Sequence, residues 1–125
     1  MSDSIVIRVP ATTSHVGVIR AAASALAARL DFTYDRITDL QIAIDEVCSR
    51  VLATSNPPAT RLEVVFEVMP DGLRVTTSGD SPSTGPTFLN RWSEMILESV
   101  TDEIEVQQRN GTAVATFAVA RRVAL

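Results

Sequence analysis

Two short strings each sit between runs that alternate apolar and polar residues. Met69-Pro70-Asp71-Gly72 separates RLEVVFEV from LRVTTS, and Arg109-Asn110-Gly111 separates EIEVQQ from TAVATFAVARRV. Pro-Asp-Gly and Asn-Gly supply the backbone angles of tight turns, so each string is expected to close a β-hairpin. Two hairpins commit the second half of the chain to antiparallel pairing. A run of the same period, SIVIRVP, opens the chain and stops at Pro10, which reads as one more strand.

Between that strand and the first hairpin the apolar spacing changes to that of helices. ATTS offers hydroxyl caps for a first helix running to about Leu30, with Ile19, Ala22, Ala23, Leu26 and Leu30 turned inward. LDFTYD is a short break, and a second helix from near Thr38 sets Leu40, Ile44, Val47 and Val51 on one side until SNPPAT ends it. SGDSPSTGP reads as a loop, and TFLNRWSEMILESV as a third helix with Leu89, Trp92, Ile96 and Val100 inward. The order β-α-α-β-β-α-β-β implies an α+β fold. The expected architecture is a two-layer sandwich, a mixed but mostly antiparallel sheet with three helices on one face, in a single domain over residues 1–125.

Composition excludes several chemistries. All 11 positive side chains are arginine, so a Walker-A phosphate loop, a Schiff-base lysine and a Ser-Lys dyad are ruled out together. A net charge of -4 with no dense basic cluster argues against direct nucleic-acid binding. One histidine and one cysteine do not make a tetrahedral metal site. Cys48 has no partner for an internal disulfide and falls beside Val47 and Val51, where it is expected as a buried, inert thiol. The amino terminus lacks a basic stretch and a long apolar run, and the most apolar helix is interrupted by Arg20 and Arg29. No membrane association is expected, and the cytoplasm is the default location.

The densest chemistry lies in DLQIAIDEVCSRVLATS, where Glu46 precedes Arg50 by four residues, one helical turn. As a bare pair they read as an exposed ion pair worth about 0.3–0.5 kcal/mol. A second reading has Arg50 fork directly onto phosphate oxygens.

LDFTYDRITDLQIAIDEVCSR resembles the corresponding stretch of the RsbW-type anti-sigma factors, members of the ATPase superfamily that includes histidine kinases and gyrase. The shared pattern is a Leu-Asp break followed by an amphipathic helix that leads into an apolar-x-Glu-x-x-x-Asn box, and the element order matches over nearly the whole chain. In that family the glutamate is the general base and the asparagine holds the Mg²⁺ that bridges the ATP phosphates. The resemblance therefore assigns Glu46 the base position and Arg50 the metal position. A guanidinium has five donors and no acceptor, so Arg50 cannot ligate a cation. After the central hairpin the family carries Asp-x-Gly-x-Gly, whose aspartate reads adenine; here Gly79, Asp80 and Gly85 stand at altered spacing. The glycine-rich lid is replaced by GPTFLNRWSEM, with one glycine. Arg20, early in the first helix, falls where family members carry an arginine used in partner contact.

The resemblance implies an anti-sigma factor that sequesters a sigma factor, is released by an anti-anti-sigma (STAS-type) protein, works as a homodimer, and has a degenerate nucleotide site needing no cofactor. Two alternatives stand beside it. One is an active serine kinase using Mg·ATP to phosphorylate the anti-anti-sigma protein; the other is a protein-interaction module unrelated to transcription. His15 reads as a solvated neighbour of the first helix cap, and Arg121 and Arg122 as a solvated strand end.

Overall fold

The computed structural model describes residues 3–83 and 88–123. Strand β1 (Ser4–Pro10) is followed by helices α1 (Thr13–Arg29) and α2 (Tyr34–Thr54), then β2 (Arg61–Met69), β3 (Gly72–Gly79), α3 (Arg91–Val100), β4 (Glu103–Arg109) and β5 (Thr112–Ala120). The strands lie in the order β1-β2-β3-β5-β4. Every ladder is antiparallel, so the expected mixed sheet is antiparallel throughout.

Both hairpins form as the turn residues require. Asn110 and Gly111 adopt φ of 53° and 80°, the paired positive angles of a type I′ turn that matches strand twist. Gly72 answers to a different constraint. A Cβ there would stand 2.2 Å from the Val119 carbonyl oxygen on β5, so the strand pairing itself demands glycine.

Alternation then decides which face is covered. Leu62, Val64, Phe66, Leu73, Val75, Ala113, Ala115, Phe117 and Val119 are all buried, one side of β2, β3 and β5. Helix α2 crosses β3 and β5, with α1 and α3 on its two sides. Leu40, Ile44, Val47 and Val51 are buried as their spacing predicts. The helix begins at Tyr34, four residues before the expected start, because Thr33 caps it through a bond from the Arg36 amide. The break ahead of it is a left-handed turn at Asp31, φ 61°.

The inner face of α1 is Val16, Ile19, Ala23 and Ala27. Ile19 and Ala23 were expected; Ala22, Leu26 and Leu30 are only half-buried. In α3 the frame shifts further. Asn90 caps the helix, and Ser93, Leu97 and Val100 face inward, whereas Trp92 is 67% exposed. The expectation that Trp92 packs in the core is corrected. Asn90 starts the helix, Ser93, Leu97 and Val100 make its buried stripe, and Trp92 lies one residue outside that stripe.

Arg36 joins three elements. It is 5% exposed, and its guanidinium donates to Asp102 at 2.6 Å, Asp39 at 3.0 Å and the Ala120 carbonyl at 2.9 Å. The start of α2 is thereby tied to the end of β5 and to the turn between α3 and β4.

Candidate functional site

Helix α2 presents consecutive acids to its two neighbours. Asp45 turns to α1, where both its oxygens accept from Arg20 Nη1 at 2.8 and 2.9 Å. Glu46 turns to α3, where Oε2 accepts from Ser93 Oγ at 2.6 Å. One helical turn later Arg50 Nε donates to the Phe88 carbonyl at 2.7 Å. Glu46 and Arg50 therefore do not pair with each other. The exposed ion pair expected from the four-residue spacing is corrected, because Glu46 finds its partner in the first turn of α3 and Arg50 on the segment that leads into it.

Arg20 is half-exposed and held by Asp45, with side-chain exposures of 44% and 45%. The two residues line a groove between α1 and α2 whose other walls include Gly17, Ser49 and Leu52. Gln41 Nε2 reinforces the helix pair by donating to Ser24 Oγ at 2.8 Å.

At the end of β3, Gly79 lies against α2: a Cβ added to it would meet Val51 Cγ1 at 3.0 Å and Ala59 Cβ at 3.3 Å. The Asp80 carboxylate fastens the entry to β2. It accepts from the Thr60 hydroxyl, from the Thr60 amide at 2.8 Å and from the Arg61 amide at 3.1 Å. These bonds, the Thr60 hydroxyl first, favour the charged form and hold Asp80 down at about 2 from its ordinary 3.8. Gly85 lies outside the described residues. Beyond Asp80, Ser81 donates to the Pro57 carbonyl and Ser83 Oγ accepts from the Ala113 amide, so residues 80–83 are tied on both sides.

Cys48 is buried on the inner side of α2. Burial first, and the nearby Asp45 charge second, push its thiol up to about 12. A thiol held so far from ionisation is a packing residue. His15 Nδ1 bonds Thr12 Oγ1 at 2.6 Å beside the α1 cap.

Tested against Mg²⁺, Arg50 does not fit as a ligand: it supplies N–H donors only, and one oxygen of the neighbouring Glu46 is engaged by Ser93.

No protein-family model matches the sequence. The serine-protein kinase RsbW of Bacillus subtilis is 32% identical over 134 residues, covering 91% of this chain and 84% of that protein. The chain belongs to the RsbW family. The RsbW of Bacillus velezensis is likewise 32% identical, over 90% of this chain and 83% of its own. Among solved structures, one holding the RsbU and RsbW domains of a Mycobacterium tuberculosis protein superposes with a TM-score of 0.74 at 16% identity. It covers 96% of this chain, which spans a third (33%) of that longer protein, and it supports the fold alone.

Within the RsbW frame, three residues escaped the sequence reading. Asp45 is the partner of Arg20 across 25 positions, a distance that no local spacing reveals. Ser93 lies in phase with Leu97 and Val100, a phase that the apolar spacing alone does not single out. Thr77, two residues before Gly79, is 1% exposed, and its Oγ1 has no hydrogen-bond partner among the described residues. Among the described residues no helix is long and apolar enough to cross a membrane.

Proposed function

We propose that this RsbW-family protein is an anti-sigma factor. It holds an alternative sigma factor of the stress or development type away from RNA polymerase, and a competing STAS-type anti-anti-sigma protein releases it in the cytoplasm. ATP-dependent kinase chemistry is lost or reduced, so exchange follows relative affinities rather than phosphorylation. Kinship with the RsbW kinases supports the first part. The observation that carries the second is the Arg50 side chain, which has no acceptor and is engaged with the Phe88 carbonyl, at the place that the resemblance assigns to the metal ligand.

Calorimetric titration with Mg·ATP tests the second part. The expected result is no one-site binding tighter than about 100 μM, roughly -5.5 kcal/mol; clean binding below that would overturn it. Arg20 is the proposed partner contact, on the groove that it lines with Gly17 and Asp45. Arginine suits that task because its fork pairs with carboxylates while its stem packs. The protein is proposed to act as a homodimer, by analogy with its family.

A second reading, an active serine kinase acting on the anti-anti-sigma protein, draws on the retained carboxylate of Glu46 and on the names of the relatives. Transfer of labelled phosphate from Mg·ATP to a cognate STAS-type protein would favour it.

A further inference from the structure

The sheet ends in two open edges, β1 and β4, and they are built differently. An edge strand carries backbone N–H and C=O groups that no neighbour satisfies, so it is a template for another strand unless its side chains forbid pairing. On β1 the one charged side chain, Arg8, already bonds Glu63 of β2 at 3.0 Å, and the strand stops at Pro10. Strand β4 reads Glu-Ile-Glu-Val-Gln-Gln-Arg, and all of it except Ile104 and Val106 is exposed. Glu103, Glu105 and Arg109 stand opposite Ala118, Thr116 and Thr112 of β5, so the sheet itself offers their charges no counterpart. Among the described residues none of the three forms a salt bridge.

We propose that β4 pairs antiparallel with β4 of a second copy, about a two-fold axis through Val106. That register sets Glu103 opposite Arg109 at both ends, Glu105 opposite Gln107 and Ile104 opposite Gln108, and it uses the whole strand. Side chains alternate between the faces, so the register can slip only in steps that keep each face matched. An axis through Glu105 sets that carboxylate against its own copy, and one through Gln107 drops Glu103 opposite the turn at Gly111. Only the Val106 register joins opposite charges at both ends of the full strand. Each copy contributes Glu103 and Arg109 to the same two pairs, as an isologous interface requires. The axis stands normal to the sheet, so both helical layers fall on one side, and α3, a helix in contact with β4, carries the exposed Trp92 and Met95 in that layer. The inference rests on the homodimer of the anti-sigma reading and gives it a surface.

The test is sedimentation equilibrium of the full chain over a concentration series, with circular dichroism as a check on folding. Wild type is expected to dimerise. Arg109→Glu and Glu103→Arg each set like charges opposite one another at both ends, and each is expected to weaken self-association at least about tenfold. An equal mixture of the two variants sets opposite charges together again and is expected to recover dimers of wild-type strength. Val106→Cys meets its own copy across the axis within disulfide range, so mild oxidation links it into covalent dimers. Gln108→Cys, whose copies stand apart in this register, is not linked, and the native Cys48 is buried. A monomeric wild type overturns the inference and the homodimer reading together. A wild-type dimer that either charge reversal leaves intact, a mixture that does not recover, or linkage through Gln108→Cys in place of Val106→Cys overturns the inference alone.

Discussion

Arg36 and Arg20 show how differently one residue type is used in this chain. Arg36 is buried with three acceptors in three segments, so Arg36→Ala is expected to lower stability by about 3 kcal/mol, measured by urea unfolding. Arg20 shares a half-exposed pair with Asp45, and Arg20→Ala should cost less than about 1 kcal/mol. If Arg20 anchors the sigma factor, the same substitution weakens that binding by about thirtyfold, near 2 kcal/mol; unchanged affinity would remove it from the interface. Asp80 and Cys48 make the stability depend on pH in opposite directions. The native Asp80 carboxylate sits at about 2 against an ordinary 3.8, so its contribution is complete above 3.8 and is lost as pH falls through that window. Asp80→Asn should flatten the acid limb of the stability curve. Native Cys48 sits at about 12 against 9.0, so the unfolded chain gives up its proton first and stability falls as pH rises from 9 towards 12. Cys48→Ala removes that slope, and a thiol reagent at neutral pH should label Cys48 only after unfolding.

At the scale of elements, helix α3 separates what periodicity reveals from what it conceals. Its existence was legible in the spacing of apolar residues, but its phase was not. Leu89, Trp92, Ile96 and Val100 fit a helix as well as Ser93, Leu97 and Val100 do, and only packing against α2 and β4 selects the second set. A fully buried serine among leucine and valine is also a poor apolar signal, which is why its bond to Glu46 was invisible in the sequence. Leu97→Ala should cost about 2–5 kcal/mol, and Trp92→Ala should stay within about 0.5 kcal/mol; the reverse order in thermal or urea unfolding would mean that the helix is rotated. The hairpins were legible in full, since Asn110-Gly111 and Pro70-Asp71 are local instructions. Gly72 was read as turn chemistry, yet its requirement comes from the Val119 carbonyl on a strand more than 40 residues away, which no local pattern carries.

For the whole molecule, element order and the Glu46 box were enough to reach the fold and the family, because both are written in residues near each other in sequence. The site was less legible because its bonds join distant segments: Glu46 to Ser93, Arg50 to Phe88, and Arg20 to Asp45. Those bonds give Arg50 a task in closing the α2–α3 seam, in place of the surface pair its spacing suggested. They also frame the central claim, that this RsbW-family protein binds a sigma factor without needing ATP chemistry. Its most direct measurement is calorimetric titration of the purified protein with each alternative sigma factor from the same genome, with and without Mg·ATP. The account predicts one-site binding to at least one of them, with an affinity that Mg·ATP leaves unchanged. Failure to bind any sigma factor, or binding that appears only when Mg·ATP is present, would contradict it.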